Sequence, residues 1–102
     1  TFVEASRRLA GLVLLRGAGT DARVRRLFRR ATSRLPTGEE LRELRRLLDD
    51  QLARYRRDPV AAGALLKVGE SQRDQRLDPA EHAAWTILAS VVLNLDETIT
   101  RE

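Results

Sequence analysis

Turn signals divide the sequence into segments that each carry the three- and four-residue apolar spacing of an α-helix. The signals are Gly17-Ala18-Gly19, Pro36, Asp58-Pro59, Gly69 and Asp78-Pro79. Glycine readily adopts the left-handed conformation that closes a helix, and proline fits the first turn of a helix but not its interior. No segment shows the alternation of a β-strand. The pattern therefore predicts an all-α chain, a compact bundle of about five helices with short connections.

The apolar stripe of each segment predicts which residues face the core. Helix one ends at Arg16, Thr20 or Asp21 caps helix two, which runs to Pro36, and helix four covers residues 61–68. The stretch from Glu70 to Leu77 lacks apolar periodicity and is predicted to be an exposed loop. The residues predicted to face inward are Phe2, Ala5, Leu9, Leu12 and Val13; Val24, Leu27, Phe28, Ala31 and Leu35; Leu41, Leu44, Leu48 and Tyr55; and Ala84, Ile87, Leu88, Val91 and Leu95.

Three helix starts carry side chains suited to capping. Thr37 and Glu40 have the S/T-x-x-E spacing of a capping box, in which each side chain accepts from the other residue's backbone N–H. Asp58 and Asp78 each precede a proline, which places a carboxylate at the cap and proline at the first helical position. Within helix three, opposite charges such as Glu39/Arg42 and Glu43/Arg46 are spaced to form weak surface pairs.

Helix five is apolar around most of its circumference, because Val92 and Leu93 widen its inward stripe. A helix with this pattern is normally buried on most sides. We therefore expect helix five to lie at the centre of the bundle or to dock against another part of a larger protein.

The length of 102 residues predicts a single domain, residues 1–102. The chain has no cysteine, which excludes thiol nucleophiles, disulfides, cysteine-ligated zinc and covalently attached haem. It begins at Thr1 and contains no methionine, so we interpret it as a piece of a larger protein. The longest apolar stretch, residues 83–93, is far shorter than the roughly 20 residues that a membrane-spanning helix needs.

The sequence predicts no catalytic, metal or cofactor site. His82 is the single histidine, and Asp78 lies one helical turn before it. Two such ligands without a third do not form a metal site, and Asp78 is better suited to capping helix five. The serines have no nucleophile motif around them.

Positive charge is concentrated in the first third of the chain. Residues 1–35 hold nine arginines against Glu4 and Asp21, a net charge of +7, whereas residues 36–102 carry a net charge of −3. A possible anion-binding face on helix two consists of Arg23, Arg26, Arg30 and Arg34. The chain has only four aromatic residues and prefers arginine to lysine throughout, which argues against nucleic acid as the partner. The pattern favours a solvated or internally paired face.

A second candidate surface lies along helix five. Trp85 is typical of a core anchor. Asn94, Asp96 and Glu97 mark the point where the apolar run becomes polar. They are interpreted either as a fraying helix end or, together with Trp85, as a docking edge.

Several motifs, taken in order, resemble one known region. They are Phe2-Val3-Glu4-Ala5, Arg34-Leu35-Pro36-Thr37-x-x-Glu40-Leu41, Val68-Gly69-Glu70-Ser71, Leu77-Asp78-Pro79-Ala80-Glu81, Ala84-Trp85-Thr86 and Leu93-Asn94-Leu95-Asp96-Glu97-x-x-Thr100-Arg101-Glu102. Together they are similar to the C-terminal part of the planctomycete-type domain of unknown function found in large secreted proteins with planctomycetal cytochrome c domains. The resemblance implies an extracytoplasmic bacterial protein, secreted or periplasmic, and supplies no catalytic residues.

These observations lead to one functional hypothesis and two alternatives. We expect a non-catalytic structural or interaction module at the C-terminus of a multidomain extracytoplasmic protein, with the upstream domains of the same chain as its partners. One alternative is an accessory part of a redox or polysaccharide-processing enzyme whose catalytic groups lie upstream. The other is a polyanion-binding or nucleic-acid-binding module that uses the arginines of helix two.

Overall fold

Five helices make up the part of the chain that the computed structural model describes, residues 2–15, 19–67 and 77–100. Of residues 2, 3 and 96–100 it describes the backbone alone. The helices are α1 (Phe2–Leu14), α2 (Thr20–Thr32), α3 (Gly38–Arg57), α4 (Pro59–Leu66) and α5 (Pro79–Thr100). The described residues include no β-strand. The predicted all-α bundle is therefore confirmed.

Helix α5 is the central element, as predicted, because it packs against each of α1, α2, α3 and α4. Its buried apolar residues are Ala83, Ala84, Trp85, Leu88, Ala89 and Val92. Three of these are alanines, whose small side chains let the neighbouring helices approach closely. Among the described residues, no helix combines the length and apolar character that crossing a membrane requires.

The predicted caps of α3, α4 and α5 are confirmed. The Thr37 hydroxyl accepts from the backbone N–H of Glu40 at 3.1 Å, and the Glu40 carboxylate accepts from the backbone N–H of Thr37 at 2.9 Å. Asp58 accepts from the backbone N–H of Ala61 at 3.1 Å, and Asp78 accepts from that of Glu81 at 3.0 Å. Each side chain satisfies a backbone donor that would otherwise lack a helical partner.

Helix α2 differs from the prediction at both ends. Its N-cap is Gly19, without a side-chain cap, so the expected cap at Thr20 or Asp21 is wrong. Asp21 instead pairs with Arg45 of α3. At the other end, Ser33 has a positive φ of 65°, which ends the helix before it reaches Leu35. Leu35 was expected to face inward and is 55% exposed.

The buried face of α1 is rotated from the predicted one. Ala5 and Leu12 were expected to face inward and are exposed. The buried side chains are those of Ser6, Arg7, Ala10, Val13 and Leu14, which recur at helical spacing. The Arg7 guanidinium donates to the Leu66 carbonyl oxygen at 2.6 Å, near the end of α4. Arg7 can thus lie on the inward face, because the carbonyl oxygen at the end of another helix accepts a hydrogen bond from its guanidinium.

In the core, Leu44, Leu48 and Tyr55 of α3 are buried as predicted. Leu77, which the pattern assigned to an exposed loop, packs against this core. The rest of that predicted loop, residues 70–76, lies outside the described residues.

Candidate docking surface

An open apolar groove lies between the first half of α3 and the second half of α5. Its volume is about 560 Å³. The residues that line it are Phe28 of α2, Glu39, Glu40, Glu43, Leu44 and Leu47 of α3, and Val91 and Leu95 of α5. The consecutive helices α2 and α3 and the distant helix α5 therefore contribute to one surface.

The floor and walls of the groove are apolar. Phe28 and Leu44 are 1% and 5% exposed, so the floor belongs to the buried core. Leu47 is half-buried against it. On the α5 side, Val91 and Leu95 are 36% and 42% exposed and lie one helical turn apart. Both residues were predicted to face inward, and the structure instead places them at the open side of the groove.

Three glutamates of α3, Glu39, Glu40 and Glu43, form an acidic rim along the groove. Glu40 is held in place by hydrogen bonds within the chain. Its carboxylate accepts two hydrogen bonds from the Arg34 guanidinium, at 2.9 and 3.0 Å, in addition to the capping bond from Thr37. The hydrogen bonds from Arg34, followed by that from the Thr37 backbone, lower the pKa of Glu40 from 4.5 to about 2. Glu40 is therefore ionised at neutral pH and already paired.

Glu39 and Glu43 form the open part of the rim. Both side chains are exposed and lie one turn apart on α3. Within the described part of the chain, the ion pairs are Arg34–Glu40 and Arg45–Asp21, so neither Glu39 nor Glu43 is paired. The expected pairs Glu39/Arg42 and Glu43/Arg46 are not formed. Two carboxylates without an ion pair therefore lie beside an apolar floor.

The proposed anion-binding arginines do not present one common free face. Arg34 is held by Glu40, and its guanidinium lies 4.8 Å from the centroid of the Phe28 ring. Arg23 is half-buried and donates to the Leu14 carbonyl oxygen at 3.2 Å. Arg26 is half-buried, and Arg30 is exposed. Internal contacts thus occupy two of the four guanidinium groups.

The proposed docking edge on α5 is also divided. Trp85 is 4% exposed and belongs to the core, as its interpretation as a core anchor predicts, so its side chain is not at an edge. Asn94 is exposed and adjoins Leu95 of the groove. The side chains of Asp96 and Glu97 lie outside the described residues, which leaves Asn94 as the described surface residue of that edge.

The polar groups of α5 near its start serve the fold. His82 is 2% exposed, and its Nε2 lies 3.1 Å from the Arg7 carbonyl oxygen. Asp78 caps the helix. Among the described residues, no group of three His, Cys, Asp or Glu side chains is arranged to hold a metal ion.

One signal in the sequence pointed towards the groove. The apolar residues of helix five are too widely distributed for one buried face, and docking elsewhere was one of the two expectations that followed. The sequence spacing did not indicate that α3 lines the groove. Glu39 and Glu43 have the pattern of an ordinary solvated helix face.

Compared with known proteins, the chain matches no family model, no curated protein and no solved structure. The family resemblance carried by its motifs therefore remains a prediction.

Proposed function

We propose that the chain is a non-catalytic interaction module that docks through the apolar groove between α3 and α5. The observation that carries this proposal is the exposure of Val91 and Leu95 directly beside the buried Phe28 and Leu44. A partner seated there extends an apolar core that is already ordered, so the docking surface needs little rearrangement.

The partner that fits best is another segment of the same polypeptide. Full burial of a valine or leucine side chain stabilises by about 1.5–3 kcal/mol, and Val91 and Leu95 have already buried more than half of their surface. Each would therefore add about 1 kcal/mol on docking. Joining partner and groove in one chain strengthens the docking further, because the effective concentration then reaches about the millimolar range. The resemblance to an extracytoplasmic multidomain protein supports an upstream partner segment of this kind.

Calorimetric titration of the 102-residue chain against the separately expressed remainder of that longer protein tests the proposal. We expect saturable binding with a negative heat-capacity change, the mark of apolar burial. The double variant Val91→Ser/Leu95→Ser should weaken the binding at least tenfold.

The matched control is Leu12→Ser/Val60→Ser, which removes one leucine and one valine from exposed positions outside the groove. This variant should bind as tightly as the unsubstituted chain. If the unsubstituted chain shows no binding, or if both double variants weaken the binding equally, the proposal is overturned.

A further inference from the structure

We propose that the occupant of the groove is an amphipathic helix that carries arginine or lysine beside its apolar stripe. This inference rests on the proposed function, which assigns the groove to a protein partner, and it specifies the chemistry of that partner.

The shape of the groove favours a helical occupant. Its two walls are themselves helices, α3 and α5, and a cleft between two helices suits an amphipathic helix that inserts its apolar face. The lining residues of α3 run from Glu39 to Leu47, which corresponds to about 12 Å at the rise of an α-helix. That length accommodates about two helical turns of a partner, with apolar anchors at positions i, i+4 and i+7.

The charge of the rim favours a basic occupant. Glu39 and Glu43 lie at i and i+4, where two like charges are mutually unfavourable. None of the nearby arginines forms an ion pair with either carboxylate: Arg34 is paired with Glu40 and Arg45 with Asp21, and Arg42 and Arg46 form no ion pair in the described part of the chain. A guanidinium or ammonium group placed between the two free carboxylates would be attracted by both. An acidic segment would be repelled at the same place.

The two features together select one kind of segment. The apolar floor requires leucine-like anchors, and the two carboxylates require cations at the edge of that apolar stripe. A purely basic segment would leave Val91 and Leu95 exposed, and a purely apolar one would leave Glu39 and Glu43 unpaired. The basic amphipathic helix satisfies both.

A pair of designed peptides tests the inference. One is a helical peptide of about 16 residues with leucines at i, i+4 and i+7 and arginines flanking that stripe. The other has glutamate in place of every arginine. Fluorescence anisotropy of each labelled peptide with the 102-residue chain gives the two dissociation constants, at low and high salt.

We expect the arginine peptide to bind about tenfold tighter than the glutamate peptide at low salt, and high salt to reduce this preference. The variant Glu39→Gln/Glu43→Gln should reduce the preference to about threefold or less. The control Asp49→Asn/Asp50→Asn removes two exposed carboxylates from the same helix, outside the groove, and should leave the preference unchanged. Thermal unfolding of both variants verifies that they are folded.

Three results would overturn the inference. The first is that both peptides bind equally and that Val91→Ser/Leu95→Ser abolishes the binding of both. This result would exclude a charge preference but keep the groove as a docking site. The second is the absence of peptide binding while the remainder of the longer protein still binds through Val91 and Leu95, which removes the basic helix as occupant but keeps the proposed function. The third is self-association of the chain that Val91→Ser/Leu95→Ser abolishes, which assigns the groove to a second copy.

Discussion

Replacing Leu88 with alanine should destabilise the chain far more than the same replacement of Leu95 on the same helix. Leu88 is fully buried at the centre of the bundle, whereas Leu95 is 42% exposed at the groove. Both residues are leucines in α5, so the change in helix propensity is the same and cancels in the comparison. The difference between the two variants therefore reports packing alone.

The expected magnitudes follow from burial. Leu88→Ala loses the transfer free energy of the side chain and leaves a cavity among α5 and its neighbours, which costs about 3 kcal/mol. Leu95→Ala loses about 1 kcal/mol, because its site opens to solvent and no closed cavity forms. The difference of about 2 kcal/mol corresponds to about 8–16 °C in melting temperature for a chain of this size.

Urea unfolding followed by circular dichroism measures both free energies, with the slope against denaturant serving as a check that the unfolding transition is unchanged. Equal losses for Leu88→Ala and Leu95→Ala would contradict the predicted difference in packing between the two sites. In that case the open side of α5 would be as tightly packed as its core face, and the groove would not be available to a partner.

Three further predictions concern single residues. Glu40→Gln should cost about 1 kcal/mol at pH 7, because it removes the charge that Arg34 binds at a solvent-screened site. Since the pKa of Glu40 falls from 4.5 to about 2 on folding, the stability that Glu40 contributes is fully present above about pH 4.5 and is lost as the pH falls towards 2. Urea titrations of both proteins across this range should show the loss. A difference in unfolding free energy between Glu40→Gln and the unsubstituted chain that stays constant with pH would contradict it. Gly63→Ala should raise the free energy of unfolding by about 0.5–1 kcal/mol, because Gly63 lies inside α4 with open space around the new methyl group; a lower unfolding midpoint would count against this placement. Ser33→Gly should stabilise by about 0.5–1 kcal/mol, because Ser33 has a φ of 65°, and thermal melts should show no such gain for Ser33→Ala.

The helix boundaries that local chemistry determines could be predicted from the sequence. The caps at Thr37, Asp58 and Asp78 each depend on contacts within three residues of the chain. Such contacts are set by spacing alone, so the pattern S/T-x-x-E or Asp-Pro is sufficient to place them.

The faces that the helices turn inward were harder to predict. On α1, the buried Arg7 is satisfied by the Leu66 carbonyl oxygen of α4, a contact between residues far apart in the sequence. On α5, apolar residues surround most of the helix, so their spacing does not distinguish the core residue Leu88 from the groove residues Val91 and Leu95. Only tertiary packing makes that choice.

The candidate site could be predicted only in part, because it too depends on how the helices pack. The excess of apolar residues on helix five predicts either a central position or docking against another part of a larger protein, and the structure shows both a central helix and an open groove. The described side chains of the predicted docking edge, those of Trp85 and Asn94, do not line that groove. Trp85 is required by the core. The acidic side of the groove comes from α3. Only the folded structure places Glu39 and Glu43 in the same groove as Leu47 and Leu95.

A methyl-resolved NMR titration can show whether this chain docks through the groove between α3 and α5. The 102-residue chain would be titrated with the separately expressed remainder of the proposed longer protein. We predict that the largest shifts fall on the methyl groups of Leu47, Val91 and Leu95. Largest shifts at Leu12 and Val60, with the groove methyl groups unchanged, would exclude the groove as the docking site.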